Sequence, residues 1–134
     1  MLRVRDIMSP RVFALDADAS TEEAAWALSR RHIGGAPVRD RDGNFIGIVT
    51  LSDLVNPEPN DWIHGEGTVQ DRMSPVIYAM YADDPALAAA ELMQLRDVHR
   101  LLVLDENGKP AGIVTAKDVA NAVAARRDFA VDQD

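Results

Sequence analysis

The residues best suited to chemistry are a threonine and an aspartate three positions apart, and this arrangement occurs twice. The first copy ends the stretch GIVTLSD, Gly47–Asp53, and the second ends GIVTAKD, Gly112–Asp118. An apolar run followed by Thr-x-x-Asp predicts a strand that leads into a helix, where a hydroxyl and free backbone N–H groups can bind an anion. The aspartate can accept hydrogen bonds from both vicinal hydroxyls of a ribose. The same pattern is close to a capping box, so the motif alone leaves a binding role and a purely structural role open.

The two motifs belong to an internal duplication of the chain. Gly47 and Gly112 are 65 residues apart, and the same offset relates DIMSP at 6–10 to DRMSP at 71–75. The register holds without a gap, which indicates duplication rather than chance. Matching positions include Ala24 with Ala89, Leu28 with Met93, Val38 with Val103, Asp40 with Asp105, and Gly43 with Gly108.

Each repeat begins with a short strand and a helix. The apolar runs at 12–14 and 76–79 predict the strands. In the first repeat Ser20 is the expected N-cap of the helix, with a glutamate three residues later as in a capping box. In the second repeat Asp84 is the expected N-cap, and Pro85 the first helical residue.

A hairpin and a second helix complete each repeat. The Asp-x-x-Gly turns at 40–43 and 105–108 connect two apolar runs, which is typical of a β-hairpin. The closing helices begin at Thr50 and Thr115, and Pro57 shortens the first of them.

The sequence therefore predicts an α/β (α+β) fold made of two β-α-β-β-α repeats. One repeat is too small to bury a good core alone. We expect the two to be related by a pseudo-twofold axis, with their sheets packed together and the helices outside. The predicted boundaries are 1–55 for the first repeat, 56–68 for a linker, 69–127 for the second repeat and 128–134 for a flexible tail.

Composition narrows the classes of function. The chain has 134 residues, a formal charge of −8 and no cysteine. This charge repels nucleic acid polymers and anionic lipid, although a helix N-terminus can still bind a small anion. No apolar stretch approaches the roughly 18 residues that span a bilayer, so we expect a cytoplasmic protein. His32 and His64 lack partners at metal-ligand spacing, and no catalytic motif is present, so neither a metal site nor an enzyme is predicted.

The doubled pattern resembles a tandem of cystathionine-β-synthase (CBS) domains, also called a Bateman module. The resemblance rests on Met-Ser-Pro, the Asp-x-x-Gly turn and GIVTxxD, each found twice over residues 4–126. It implies a regulatory module that binds AMP, ADP, ATP or S-adenosylmethionine and that forms a disk-like homodimer. Since the chain carries no catalytic, channel or transporter domain, we expect a separate effector protein.

The resemblance also implies which residues bind the ligand. In adenylate-binding members the threonine contacts phosphate, the aspartate contacts the ribose hydroxyls, and the wall that binds the base comes from the other repeat. One predicted cleft combines Ser9, Ala14, Ile33, Gly34 and Gly35 with Thr115, Lys117 and Asp118. The other combines Ser74, Ala79, Val98, His99 and Arg100 with Thr50, Ser52 and Asp53.

The two predicted clefts differ in charge. The His99–Arg100 pair matches one that adenylate-sensing members place beside the phosphates, whereas Gly34–Gly35 carries no charge. Solvated helix ends explain Arg30, Arg31 and Arg96, which could also add positive charge to the clefts. A different class of function stays open: a structural pair that dimerises or binds a protein and holds no nucleotide.

Overall fold

The computed structural model describes residues 1–55 and 67–132. Six helices and six strands lie in these ranges. In chain order they are α1 (Val4–Ile7), β1 (Leu15–Asp16), α2 (Thr21–Arg30), β2 (Gly35–Arg39), β3 (Phe45–Thr50), α3 (Leu51–Val55), α4 (Val69–Arg72), β4 (Ala79–Tyr81), α5 (Ala86–Arg96), β5 (Arg100–Leu104), β6 (Pro110–Thr115) and α6 (Ala116–Ala124).

The strands form two three-stranded sheets of the same topology, ordered β1-β2-β3 and β4-β5-β6. In each sheet the first pair of strands is parallel and the second antiparallel. Val38 lies opposite Leu15 and Gly47, and its counterpart Val103 lies opposite Met80 and Gly112. The register is thus the same in both sheets, and the predicted α/β fold of two β-α-β-β-α repeats is confirmed.

The predicted hairpin turns are also present. Gly43 has a φ of 84°, in the left-handed region that favours glycine. The carboxylate of Asp40 accepts hydrogen bonds from the backbone N–H groups of Asp42 and Asn44, both at 2.9 Å. Asp105 makes the equivalent bonds in the second hairpin. Because these contacts span only four residues, the local sequence is enough to specify them.

Some predicted element boundaries are wrong. The strands expected at 12–14 and 76–79 lie instead at Leu15–Asp16 and Ala79–Tyr81, where the chain first pairs with β2 and β5. Helix α5 begins at Ala86 with Pro85 as its N-cap, one residue later than expected. The reason is that the carboxylate of Asp84 accepts the N–H of Tyr81 at 2.8 Å and so closes the turn between β4 and α5 instead of capping the helix. Ser20 does cap α2, since its hydroxyl accepts the N–H of Glu23 at 3.0 Å.

The compact units of the fold are not the two sequence repeats. Residues Phe13–Ile77 form one unit, here called the continuous unit. The other, the discontinuous unit, joins Met1–Val12 to Tyr78–Asp134. The repeats at 1–55 and 69–127 therefore exchange their first segments. Most of the predicted linker, 56–66 with Trp62, lies outside the described residues, as does the end of the predicted tail at 133–134.

Each exchanged segment supplies a core residue. Val4 and Val69 occupy equivalent positions 65 residues apart, and both are fully buried. The core of the continuous unit consists of Leu15, Ala17, Ala24, Leu28, Ala36, Val38, Val49, Leu54 and Val69. The main core of the discontinuous unit consists of Val4, Met80, Ala89, Met93, Leu101, Val103 and Val114.

The exchanged segments also pair with the last strand of each sheet. Ser9 and Ile113 exchange two backbone hydrogen bonds at 2.9 and 3.0 Å, and Ser74 and Ile48 do the same at 2.8 and 2.9 Å. The neighbouring glycines permit this approach: a Cβ atom on Gly47 would lie 2.5 Å from the carbonyl oxygen of Ser74. The glycine of GIVTxxD is thus explained by close backbone contact.

Replacing either of these glycines with alanine should destabilise the protein. We expect Gly47→Ala and Gly112→Ala each to lower the free energy of unfolding by about 1 to 3 kcal/mol, because the new methyl group overlaps the carbonyl oxygen of Ser74 or Ser9. Gly67→Ala is the matched control, since its Cβ would meet only Arg72 at 3.5 Å. Urea unfolding measures all three, and a loss as large in the control would contradict the interpretation.

A second prediction concerns Asp71 in the exchanged segment. The backbone N–H and the hydroxyl of Thr68 donate to its carboxylate at 2.9 and 3.0 Å. These bonds hold the pKa of Asp71 below its ordinary value of 3.8. The ionised carboxylate therefore stabilises the fold above pH 3.8, and this contribution is lost as the pH falls through the lowered pKa.

Carboxyl titration by NMR checks this prediction. The midpoint for Asp71 should lie below 3.8 and should rise in Thr68→Val, which removes one of the two donors. The difference in stability between wild type and Asp71→Asn should shrink as the pH falls through that midpoint. A midpoint unchanged by Thr68→Val would show that the hydroxyl does not hold the carboxylate.

Candidate ligand-binding site

Both Thr-x-x-Asp motifs are capping boxes at a strand-to-helix turn. The N–H of Thr50 donates to Oδ2 of Asp53 at 3.0 Å, and the N–H of Asp53 donates to the Thr50 hydroxyl at 3.2 Å. Thr115 and Asp118 make the same pair of bonds at 2.9 and 3.2 Å. The helix-cap interpretation of the motif is therefore confirmed in both repeats.

The cap uses only part of each aspartate. Asp53 is exposed and Asp118 is half-buried, so neither carboxylate is enclosed in a core. Among the residues that the structure describes, only Oδ2 of each carboxylate accepts a hydrogen bond. The other oxygen can accept from an external hydroxyl while the cap stays intact.

Each capping box is also bonded to the segment that precedes the hairpin of its own repeat. The N–H of Leu51 donates to the carbonyl oxygen of Gly34 at 2.8 Å, and the N–H of Ala116 donates to that of His99 at 2.9 Å. In the antiparallel strand pairs, Thr50 lies opposite Gly35, and Thr115 lies opposite Arg100. The predicted wall and the motif of one repeat are thus joined at a shared edge.

The backbone pairing of the exchanged segments places each predicted serine within the unit of one motif. Ser9 pairs with Ile113, two residues before Thr115. Ser74 pairs with Ile48, two residues before Thr50. The predicted clefts also combine Ser9 with Thr115 and Ser74 with Thr50, and contact of these residues with a ligand stays a prediction.

The remaining predicted residues divide between the units. Ala14, Ile33, Gly34 and Gly35 belong to the continuous unit with Thr50, Ser52 and Asp53. Ala79, Val98, His99 and Arg100 belong to the discontinuous unit with Thr115, Lys117 and Asp118. The predicted pairing of each wall with the motif of the other repeat joins residues of different units, and it stays a prediction.

The helix that follows each box differs between the repeats. Helix α6 has nine residues, whereas α3 has five. Lys117 is exposed in the first turn of α6, where the partial positive charge of the helix N-terminus disfavours a cation. The N–H of the second helical residue also has no acceptor within a helix. An anion at this turn would satisfy both groups.

One repeated contact beside the residues predicted to bind the base was not predicted from the sequence. The guanidinium of Arg31 lies over the ring of Phe13, 3.9 Å from its centre, and that of Arg96 lies over Tyr78 at 5.5 Å. Both members of the pair recur at the 65-residue offset, which is the signal that could have found them. The rings directly precede the predicted wall residues Ala14 and Ala79.

A surface cavity of about 750 Å³ lies in the continuous unit, and neither Thr50 nor Asp53 lines it. It sits at the hairpin-turn end of the sheet, where Arg39 forms an ion pair with Asp16 at 2.9 Å. None of the predicted site residues lines it. Its lining residues are Asp16, Ala17, Asp18, Arg39, Asp40, Arg41, Asp42, Gly43 and Gln70.

Two further features bear on the predicted classes of function. Within residues 1–55 and 67–132, no three side chains of the types that bind metals come together. No helix in the same ranges combines the length and the apolar character needed to cross a bilayer.

The chain thus consists of two β-α-β-β-α repeats, each with a capped strand-to-helix turn before its last helix. This arrangement places it in the class of small α/β modules that occur in tandem. The sequence model of the CBS domain matches residues 4–57 and again 69–125. The chain therefore belongs to the CBS domain family, and the predicted resemblance is confirmed.

Relatives contain the same region in proteins of different length. A CBS domain-containing protein of Dictyostelium discoideum is 31% identical over 129 residues, which cover 87% of each chain. The A-adding tRNA nucleotidyltransferase of Aquifex aeolicus is also 31% identical, over 91% of this chain but 14% of the enzyme. An uncharacterized protein of Methanocaldococcus jannaschii is 25% identical, and the chain spans 40% of its length.

Solved structures of CBS domain pairs share the fold. The pair of protein MJ0100, in complex with 5′-methylthioadenosine and S-adenosylmethionine, has a TM-score of 0.81 at 24% identity, over 95% of this chain and 99% of that one. CBSX2 in complex with AMP has a TM-score of 0.78 at 27% identity, over 94% and 98%. The CBS domain of a bacterial CNNM/CorC family Mg²⁺ transporter, in complex with ATP, has a TM-score of 0.78 at 25% identity, over 92% and 87%.

The capping role of the threonine hydroxyl can be tested without a ligand. Thr115→Val keeps the shape of the side chain but removes the acceptor for the N–H of Asp118, so it should lower the free energy of unfolding by about 1 kcal/mol. Thr115→Ser keeps the hydroxyl and serves as the control. Urea unfolding compares the three proteins, and a valine variant as stable as wild type would exclude the cap.

Proposed function

We propose that the chain is a non-catalytic regulatory module that binds an adenine nucleotide at its two capping-box turns. The ligand is AMP, ADP, ATP or S-adenosylmethionine. The residues proposed to contact it are the predicted set, centred on Thr50 and Asp53 in one repeat and on Thr115 and Asp118 in the other. Regulation then acts on a separate effector protein, and the module works as a homodimer.

The observation that carries this proposal is the free half of each capping carboxylate. Asp53 and Asp118 each accept the threonine N–H through Oδ2, and none of the described residues donates to the second oxygen. A fixed, ionised acceptor beside a helix N-terminus suits a ligand that carries both vicinal hydroxyls and an anionic group. A nucleotide is such a ligand.

The solved relatives support the same class of ligand. Two CBS structures that are at least 25% identical to this chain were determined with AMP and with ATP. Both cover more than 90% of this chain. Adenine nucleotides are therefore the first ligands to test.

Asparagine variants separate ligand binding from helix capping. Asp53→Asn and Asp118→Asn keep an oxygen that can accept the threonine N–H but remove the charge. We expect each to weaken the binding of AMP or ATP at its own site by about tenfold or more, because a charged acceptor is replaced by a neutral one. Isothermal titration calorimetry measures the affinity, and urea unfolding should show little change in stability.

Asp71→Asn is the matched control for this experiment. The carboxylate of Asp71 likewise accepts the N–H of Thr68, but the Thr68 hydroxyl donates to that carboxylate instead of accepting the N–H of Asp71. Neither residue belongs to the predicted ligand site. Nucleotide affinity should therefore be unchanged in this variant. Wild-type protein that binds none of AMP, ADP, ATP and S-adenosylmethionine would sink the proposal.

A purely structural or protein-binding role is the second candidate, and exposed apolar side chains favour it. Trp26 on α2 is 62% exposed in the continuous unit, and Leu95 and Val123 are 75% and 60% exposed in the discontinuous unit. Contiguous patches of exposed apolar side chains mark contact surfaces, so these three residues are the ones to vary when association is tested. Sedimentation at several concentrations, with Trp26→Ser and Leu95→Ser as variants, tests dimerisation separately from nucleotide binding.

A further inference from the structure

The strongest observation outside the proposed site is the pair of stacked arginines. Arg31 lies on Phe13 in the continuous unit, and Arg96 lies on Tyr78 in the discontinuous unit. The two rings are half-buried and pack against the hydrophobic cores of their units. Each arginine is exposed, so a fixed ring holds one face of a guanidinium whose other face meets solvent.

No described carboxylate neutralises either guanidinium. Within residues 1–55 and 67–132, Arg31 and Arg96 form no ion pair and no side-chain hydrogen bond. The chain has a net charge of −8, and carboxylates are abundant on its surface. By contrast, Arg39 and Arg41 pair with aspartates of the same unit. A cation–π contact needs no hydrogen-bond acceptor, so the N–H donors of the guanidinium can still serve a ligand.

The position of each pair relates it to the predicted walls. Each ring immediately precedes one wall residue, Ala14 or Ala79, and each arginine lies two residues before another, Ile33 or Val98. The ring of Phe13 and the side chain of Ile33 pack against the same core, as do those of Tyr78 and Val98. Each arginine also lies three residues before the carbonyl, of Gly34 or His99, that accepts an N–H of the capping-box turn in its own unit.

We infer that Arg31 and Arg96 bind the phosphate group of the ligand, so that the module selects phosphorylated adenine nucleotides over adenosine and S-adenosylmethionine. This inference rests on the proposed function and narrows its ligand class. A guanidinium that contacts a ring loses less freedom than an unsupported one when its N–H groups donate to a phosphate. S-adenosylmethionine carries a sulfonium cation where the nucleotides carry a phosphate, and its single carboxylate offers less negative charge to such a donor.

The two arginines also give both units a cation at the same place. The sequence predicts clefts of different charge, because Gly34–Gly35 is uncharged where His99–Arg100 has two basic residues. Arg31 supplies the continuous unit with positive charge that the glycines lack. Phosphate recognition can therefore occur in both units.

Calorimetry with four ligands tests the inference: ATP, AMP, adenosine and S-adenosylmethionine. Wild type should bind ATP and AMP more tightly than the other two. Arg31→Gln and Arg96→Gln should each weaken ATP binding by about tenfold or more at one site, while adenosine affinity should change by less than about twofold. The double variant should lose the preference for phosphorylated ligands. Arg31→Lys and Arg96→Lys should each retain part of the preference for phosphorylated ligands, because a lysine keeps the charge but lacks the planar guanidinium.

Arg30→Gln is the matched control. Arg30 stacks on Trp26 at 5.2 Å, but position 95 in the second repeat is a leucine, so this contact is not repeated. Its removal should leave all four affinities unchanged, and urea unfolding confirms that every variant is folded.

The outcomes separate this inference from the proposed function. If wild type binds ATP but the double variant keeps its preference over adenosine, the arginines do not bind phosphate and only this inference is overturned. The same holds if adenosine affinity falls as far as ATP affinity, or if wild type prefers S-adenosylmethionine. If wild type binds none of the four ligands, the proposed function fails and the inference fails with it.

Discussion

The fold of each unit depends on a backbone pairing between a Met-Ser-Pro segment and the last strand of a sheet. Two hydrogen bonds of 2.8 to 3.0 Å join Ser9 to Ile113 and Ser74 to Ile48. The strand needs a glycine beside this contact, and the segment brings a fully buried valine, Val4 or Val69, into the core. Because each segment comes from the other repeat, neither repeat completes a unit with its own residues.

This pairing also determines what surrounds the two Thr-x-x-Asp turns. The strand held by the exchanged segment ends at the threonine, so the position of the turn is set by backbone bonds on both sides: the serine on one edge and Gly34 or His99 at the other. The capping box then orients the aspartate. A carboxylate fixed in this way needs little reorganisation to accept a ligand.

Capping and binding are compatible because they use different atoms. One carboxylate oxygen of Asp53 or Asp118 satisfies the threonine N–H, and the helix start needs no more from that side chain. The carboxylate of Asp71 also accepts the N–H of the threonine three residues earlier, at the start of a four-residue helix. The motif by itself therefore indicates a helix start, and the neighbouring donors and acceptors distinguish a ligand site from a simple cap.

The sequence by itself determined the features that depend on neighbours a few residues apart. The hairpin turn at Asp40–Gly43, the cap at Ser20 and both Thr-x-x-Asp boxes involve bonds across two to four residues. The internal repeat extended these local predictions to the whole fold and to the CBS family. Where two local contacts competed, as for the Asp84 carboxylate, the sequence alone did not identify the one that forms.

The tertiary structure decided which segments complete which unit. Val4 and Val69 occupy equivalent positions in segments that share the valine, an aspartate and Met-Ser-Pro, and the sequence alone does not say which core each valine enters. The stacking of Arg31 on Phe13 likewise joins residues 18 positions apart, which a helix brings together only after it packs. Such contacts depend on packing between distant segments, and the periodicity of a sequence carries no information about them.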